Sequence, residues 1–124
     1  MIKKAAEQRL KEAAECVECV DADKIDPDNL EGWLILDVRE ADEFAKGHIP
    51  GAINVPRSRL EMLAIQNDAL QKVKDCDTLV YCASGKRSLL AAETLKALGA
   101  ARPVSMEGGF NAWHDSGKPV KKPD

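Results

Sequence analysis

Apolar residues form two kinds of pattern along this chain, and each kind predicts a different element. Continuous apolar runs occupy residues 33–38 and 78–82, which is typical of strands buried on both faces. Shorter strands, bounded by turn residues, are predicted within 16–25, 52–55 and 102–109. Strands therefore recur from one end of the chain to the other.

Apolar residues spaced three or four positions apart predict helices between these strands. The N-terminal segment, residues 1–19, is predicted to be an amphipathic helix. The apolar steps of three and four that predict it fall at Ile2, Ala6, Leu10, Ala13 and Val17 and continue to Val20, the first residue after it. Packing on its own domain is the favoured interpretation of this apolar face, and a contact with a partner helix is the alternative. The other predicted helical segments are 39–47, 58–73, 88–99 and a final turn at 109–117.

The alternation of strands and helices predicts a three-layer α/β fold. We expect an open, mainly parallel sheet with helices on both faces. We divide the chain into an N-terminal amphipathic helix, residues 1–19, and one domain, residues 20–124. In such sheets ligands bind at the carboxyl ends of the strands. Cys82 ends a buried strand and is therefore the first candidate for chemistry.

Composition and charge narrow the range of partners. The 124 residues, 44% apolar and 31% charged, fit one globular domain. A net charge of −3 argues against nucleic acid and anionic membranes as partners. No apolar run approaches the roughly 20 residues of a membrane span, and the N-terminal segment lacks an apolar signal core. We expect a cytoplasmic monomer or weak homodimer whose four cysteines are reduced.

Cys82 is followed by small residues and two cations, in the sequence Cys-Ala-Ser-Gly-Lys-Arg-Ser. A strand, a tight loop and a helix N-terminus direct backbone N–H groups inward, and the helix dipole adds positive potential. Such surroundings favour the thiolate, which is the nucleophilic form of cysteine. The alternative is an inert buried cysteine at an ordinary strand-to-helix connection. The small residues and paired cations favour a reactive thiol.

Three separated stretches carry longer motifs. They are Phe-Ala-Lys-Gly-His-Ile-Pro-Gly-Ala from residue 44, preceded by Leu-Asp-Val-Arg-Glu at 36–40; the loop at 81–88; and Gly-Gly-Phe-Asn-Ala-Trp within 106–120, followed by Gly-Lys-Pro. In this order the three stretches resemble the rhodanese-like domains, a family of sulfurtransferases. The resemblance covers residues 20–120, which is essentially the whole predicted domain.

The resemblance implies a five-stranded parallel sheet and a double-displacement reaction. Cys82 would be the catalytic residue, taking a sulfane sulfur from a small anionic donor and passing it to a thiol or protein acceptor. The substrate-binding residues would be Ala83, Ser84, Gly85, Lys86, Arg87 and Ser88. No metal or organic cofactor is implied. The cations come late in the loop, so a persulfide is as good a candidate donor as thiosulfate.

Two other functions remain open. Related phosphatases have five residues between cysteine and arginine, whereas Cys82 and Arg87 are separated by four. The shorter loop favours a single sulfur atom over a phosphoryl group, so a phosphatase or arsenate reductase is the enzymatic alternative. A non-catalytic binding or regulatory module is the other alternative, although inactive members usually lack the loop cysteine.

Other chemistry-bearing residues are given structural roles. His48 is expected to lie in a turn, and Asp37 and Arg39 to form an ion pair at a strand end. Cys16 and Cys19 have the spacing of a metal or redox pair, but no second pair of ligands accompanies them. Cys76 could react with Cys82 only if the chain turned back, because the intervening strand separates them.

Overall fold

Strands and helices alternate along residues 1–122, the part of the chain that the computed structural model describes. The strands are β1 (Glu18–Asp21), β2 (Leu34–Asp37), β3 (Ile53–Asn54), β4 (Asp77–Tyr81) and β5 (Arg102–Glu107). The helices are α1 (Ile2–Cys16), α2 (Ala41–Lys46), α3 (Leu60–Gln66), α4 (Lys86–Ala97) and α5 (Gly109–Asp115). Short 3-10 turns occupy Ala22–Lys24, Pro27–Asn29, Arg57–Arg59 and Asp68–Lys74.

The five strands form one sheet in the order β1-β5-β4-β2-β3, and every neighbouring pair is parallel. The predicted α/β fold and its five-stranded parallel sheet are confirmed. β4 lies at the centre, between β5 and β2. Because parallel strands end at a common edge, the residues that follow β4, β2 and β5 meet there.

Each face of the sheet carries its own apolar cluster, as predicted for three layers. One cluster packs beneath α4 and includes Leu36, Val80 and Leu95. The other packs beneath α5 and includes Tyr81 and the fully buried Trp113. The indole N–H of Trp113 donates to the carbonyl of Pro119 at 2.7 Å, which satisfies its one buried polar group.

The N-terminal helix α1 packs on α4 through its C-terminal half. Ala13 is fully buried, whereas Ile2 is 87% exposed. The guanidinium of Arg9 forms an ion pair with Glu93 of α4 at 2.8 Å. Contact with its own domain is therefore what the structure shows for this helix. The division of the chain at residue 19 stays a prediction. None of the helices within residues 1–122 is both long and apolar enough to cross a membrane.

The helix predicted over residues 58–73 is two elements. α3 ends at Gln66, and Asn67 has an extended backbone with φ −103° and ψ 114°. The Asn67 side chain accepts a hydrogen bond from the amide of Ala69 at 2.8 Å and so starts the following 3-10 turn. Asparagine side chains compete in this way with helical hydrogen bonds, which explains the break.

Candidate active site

Cys82 lies directly after β4, at the carboxyl edge of the sheet. Its side chain is almost fully buried, with 1% of its surface exposed. The sulfur accepts hydrogen bonds from two backbone N–H groups, that of Gly85 at 3.1 Å and that of Ser88 at 3.3 Å. The second donor belongs to the first turn of α4, where N–H groups have no partner inside the helix. The sulfur therefore faces two backbone donors, an arrangement that suits an anionic sulfur.

Gly85 allows this loop to close. Its φ of +109° lies in the left-handed region, which residues with a Cβ rarely adopt, and it is the residue that precedes α4. With the chain turned at this point, helix α4 begins at Lys86 and brings Ser88 over the sulfur. The turn of the backbone thus closes the loop, and the small side chains in the loop leave room for that turn.

The start of α5 holds the loop from the other side. The carbonyl of Cys82 accepts from the amide of Phe110 at 2.7 Å, and that of Ala83 accepts from the amide of Asn111 at 3.0 Å. Gly109, with φ +58°, permits this approach, because a Cβ there would lie 2.5 Å from both carbonyl oxygens. The carbonyl groups of Cys82 and Ala83 are therefore bonded to α5, while amides later in the loop are bonded to the sulfur.

Two buried hydroxyl groups extend the site inward. Ser88 Oγ lies 3.6 Å from Cys82 Sγ and 2.9 Å from Ser105 Oγ of β5. Both serines are essentially without solvent exposure. Ser88 was predicted as a site residue, whereas Ser105 was not. The signal for Ser105 is its hydroxyl among the apolar residues Pro103, Val104 and Met106, which calls for a buried partner.

The two loop cations have different environments. Lys86 is exposed at the start of α4. The Arg87 guanidinium forms two hydrogen bonds with the Glu43 carboxylate of α2, at 2.8 and 3.1 Å. This pairing raises the pKa of Arg87 and lowers the pKa of Glu43 to about 2. Arg87 thus joins α2 to α4 beside the loop, a partnership that no local sequence signal indicates.

Ala83 and Ser84 complete the predicted loop. Ala83 is half-buried and is held through its carbonyl, while Ser84 is exposed at the outer surface. The six predicted loop residues therefore differ in their relation to the Cys82 sulfur. Gly85 and Ser88 contact it directly, and Ser84 and Lys86 face solvent.

Asp37 and Arg39 form a buried ion pair at the end of β2. The guanidinium reaches both carboxylate oxygens at 2.7–3.1 Å and also donates to the carbonyl of Gly47 at 2.7 Å. It lies 4.3 Å above the ring of Phe110. Because every charge in it is hydrogen-bonded, this pair fixes the turn after β2 against α5.

His48 has a structural environment. Its ring stacks on Phe44 at 3.7 Å and its Nδ1 bonds to the Phe44 carbonyl at 3.0 Å. Its backbone forms a bridge with Lys121. These contacts agree with a turn residue.

The other three cysteines lie away from the loop. Cys76 precedes β4 and Cys82 follows it, so the full strand separates them. Cys16 ends α1 and is exposed, whereas Cys19 lies within β1. Within residues 1–122 no group of three or more His, Cys, Asp or Glu side chains is placed to hold a metal ion.

Comparison with known proteins points to one family. The family model described as rhodanese-like domain matches residues 17–116. A curated protein named Sulfurtransferase, from Allochromatium vinosum, is 34% identical over 94 residues, which are 76% of this chain and 83% of that protein. The Putative sulfur carrier protein YrkF of Bacillus subtilis is 34% identical over 90 residues, covering 73% of this chain. This chain spans only 45% of the length of that second relative.

A solved structure from Rhodopseudomonas palustris shows the same fold. It is 30% identical, has a TM-score of 0.80 and covers 90% of both chains. That protein is described as one of unknown function and a possible tyrosine phosphatase.

Proposed function

The chain belongs to the rhodanese-like domain family, and from this membership we propose that it is a sulfurtransferase acting through a persulfide on Cys82. The observation that carries the proposal is the sulfur of Cys82, which receives two backbone N–H groups inside a closed loop. The name of the Allochromatium vinosum relative supports the same class of reaction. The substrates would be an anionic sulfane donor, such as thiosulfate or a persulfide, and a thiophilic acceptor.

The first half-reaction forms the persulfide. The Cys82 thiolate attacks the outer sulfur of thiosulfate, so that a new S–S bond forms while the S–S bond of thiosulfate breaks. Sulfite leaves with the electron pair of the broken bond. Backbone N–H groups of residues 83–87 would then hold the negatively charged terminal sulfur, and the dipole of α4 would stabilise it.

The second half-reaction returns the enzyme to its starting state. A nucleophilic acceptor attacks the terminal sulfur, the bond to Cys82 Sγ breaks, and the electron pair returns to that sulfur as thiolate. Both steps are displacements at sulfur and consume no external oxidant or reductant. The buried position of Cys82 limits access to the side on which the loop opens, which protects the persulfide from water.

Intact-protein mass spectrometry tests the proposal directly. We expect thiosulfate to add the mass of one sulfur atom to the wild-type chain, and cyanide or a thiol to remove it. The Cys82→Ser variant should gain no sulfur, whereas Cys19→Ser, a matched loss of one thiol on the same face of the sheet, should react like wild type. Sulfur addition to Cys82→Ser, or none to wild type from either thiosulfate or a small persulfide, would overturn the proposal.

A phosphatase or arsenate reductase is the second candidate, because the Rhodopseudomonas palustris relative is described as a possible tyrosine phosphatase. The four residues between Cys82 and Arg87 argue against it, since a phosphoryl group with its oxygens needs a wider ring of donors. The Arg87 guanidinium is moreover held by Glu43. We expect no hydrolysis of p-nitrophenyl phosphate and no arsenate reduction; turnover of either without persulfide formation would reverse the ranking.

A further inference from the structure

A groove of about 320 Å³ lies beside the active-site loop, between α2, α5 and the segment that follows α5. Its walls and rim include Arg39, Glu43, Lys46, Phe110, His114 and Lys122. This volume is within the range of sites that bind small molecules. Arg39, Lys46 and Phe110 belong to the sequence motifs described above, but the persulfide chemistry on Cys82 assigns no role to the groove they line.

Two of its lining residues also hold the loop. The Glu43 carboxylate is bonded to Arg87, and the Phe110 amide donates to the carbonyl of Cys82 at 2.7 Å. A molecule in the groove would therefore contact two residues, Glu43 and Phe110, that are each bonded directly to the loop.

The charges of the groove are uneven. Arg39 and Glu43 face it, but each is paired within the protein, the first with Asp37 and the second with Arg87. The exposed ammonium groups of two lysines on the rim, Lys46 and Lys122, add positive charge. Lys46 forms no ion pair with any side chain within residues 1–122. On a chain with a net charge of −3, this is a local cationic surface.

The half-buried ring of Phe110 supplies an apolar wall, beside His114. An apolar wall with cations at the rim suits a small organic anion whose carbon skeleton packs against Phe110 and Val120 and whose carboxylates face the lysines. Thiosulfate has no carbon skeleton and would be held within the loop itself. The groove therefore fits the second substrate better than the first.

We propose that this groove binds the sulfur acceptor and that the acceptor is a small thiol carrying carboxylate groups. The inference rests on the proposed function and adds the acceptor class to it. The acceptor thiolate attacks the terminal sulfur of the Cys82 persulfide, forming a new S–S bond. The bond to Cys82 Sγ breaks, and its electron pair stays on that sulfur. Attack must come from the side opposite the leaving Sγ, at the mouth of the loop, so the rest of the acceptor lies on the neighbouring surface.

Single-turnover discharge of the preloaded persulfide tests the acceptor class. The acceptors are mercaptosuccinate, with two carboxylates, and neutral 2-mercaptoethanol. Lys46→Glu reverses one rim charge, and Lys72→Glu makes the same change before β4, at the opposite end of that strand from Cys82. Because each thiol is compared with itself across variants, differences in intrinsic nucleophilicity cancel.

We expect Lys46→Glu to lower the apparent second-order rate for mercaptosuccinate by about fivefold to tenfold, the size expected for reversing one exposed charge. The rate for 2-mercaptoethanol should change by less than about twofold, and Lys72→Glu should alter neither rate beyond that limit. Equal rates with mercaptosuccinate in wild type and Lys46→Glu would overturn the proposal.

A binding measurement keeps this result separate from the proposed function. The S-methyl ether of mercaptosuccinate cannot accept sulfur, so its binding does not depend on a persulfide. In an NMR titration we expect the amide signals of Gly47, Phe110 and His114 to shift in wild type and to shift less in Lys46→Glu. Absence of these shifts overturns the groove assignment even when the persulfide forms. Their presence supports it even when thiosulfate fails as a donor.

Discussion

Cys82 and Cys19 lie on the same face of one sheet, on either side of Ser105, yet their surroundings are opposite. Cys19 is paired in register with Ser105, and Cys82 follows the strand on the other side of it. The sulfur of Cys82 receives two backbone N–H groups. The thiol of Cys19 instead faces an acceptor, the carbonyl of Val17, at 3.8 Å.

The charged groups near the two cysteines also differ. Burial raises the pKa of Cys19, and the carboxylates of Glu107 and Glu18 raise it further. Beside Cys82 lies Arg87, whose guanidinium is bonded to the Glu43 carboxylate. Inside a strand the backbone N–H groups are consumed by the sheet, whereas beyond the strand end they are free to face a sulfur. The position of each cysteine along its strand therefore determines whether backbone N–H groups are available to its sulfur.

The largest expected effect comes from separating the loop of Cys82 from α5. In Gly109→Ala the new Cβ would collide with two loop carbonyls, so we expect persulfide formation to slow by about a hundredfold. Gly117→Ala is the matched control, because Gly117 also has a positive φ, +77°, but has open space around it. It should cost about 1 kcal/mol in the free energy of unfolding and leave the rate nearly unchanged.

Sulfur-loading kinetics and urea unfolding of both variants provide the measurement. Similar rates in the two alanine variants would mean that α5 does not shape the loop.

The next effect comes from the hydroxyl groups between the two cysteines. Removing Ser105 Oγ leaves Ser88 Oγ with one partner fewer beside Cys82 Sγ, so we expect Ser105→Ala to slow sulfur transfer about tenfold. Thr78→Val removes another buried hydroxyl, one bonded to the carbonyl of Cys76. Both variants should lose about 1 kcal/mol of unfolding free energy or less, but only Ser105→Ala should change the rate of sulfur transfer.

The pH profile of the loading rate distinguishes the two roles of Ser105. A shifted profile in Ser105→Ala, absent in Thr78→Val, is expected if the hydroxyl acts on the sulfur; an unchanged profile and rate would leave Ser105 with a packing role alone.

A smaller effect concerns the ion pair beside Cys82. The pKa of Glu43 is about 2 in the folded chain against an ordinary value of 4.5. Because the folded value is the lower one, the stabilisation is complete above pH 4.5 and is lost as the pH falls towards 2. In Glu43→Gln the unfolding free energy should fall less steeply as the pH drops below 4.5. The difference should be less than about 1 kcal/mol, since both partners are about one-third exposed.

Glutamine retains the acceptor for the amide of Glu40, so the start of α2 is preserved and the variant isolates the charge. Denaturant unfolding at several acid pH values measures this dependence. An equal fall of the unfolding free energy with pH in wild type and Glu43→Gln would contradict the role of the ion pair.

The smallest effect concerns Cys19. Removing the charge of Glu107 should lower the pKa of Cys19, because that carboxylate disfavours the thiolate. NMR titration of the Cys19 Cβ in Glu107→Gln measures the change, and Glu61→Gln, a charge on α3, is the control. A Cys19 titration that responds equally to both variants would show only a general charge effect.

The fold could be predicted because its signals are local. Apolar runs, helical spacing and glycine stops each depend on a few neighbouring residues, and they predicted the strand at 78–82 and the helix beginning near Ser88. The break at Asn67 was missed because a helical apolar pattern continues across it. The competing hydrogen bond to Ala69 is visible only when the side chain is placed.

The sequence indicated the centre of the candidate site but not the distant residues that contact it. Cys82 and its loop form one contiguous motif. Glu43 lies 44 residues before its partner Arg87, and Ser105 lies 17 residues after Ser88. Nothing in the local sequence of either residue indicates its partner, because the contact arises only when parallel strands and crossover helices bring distant segments together.

The hydrogen bonds from Phe110 and Asn111 to the loop carbonyls have a consequence for how the protein is made. During synthesis the thiol of Cys82 emerges well before the segment that shapes its loop. The two loop carbonyls gain their partners only after α5 has left the ribosome and docked, since domains fold once their chain is available. A nascent or truncated chain ending before Gly109 would carry Cys82 without the contacts that hold its loop, so under the proposed function sulfur loading is expected only on the finished domain.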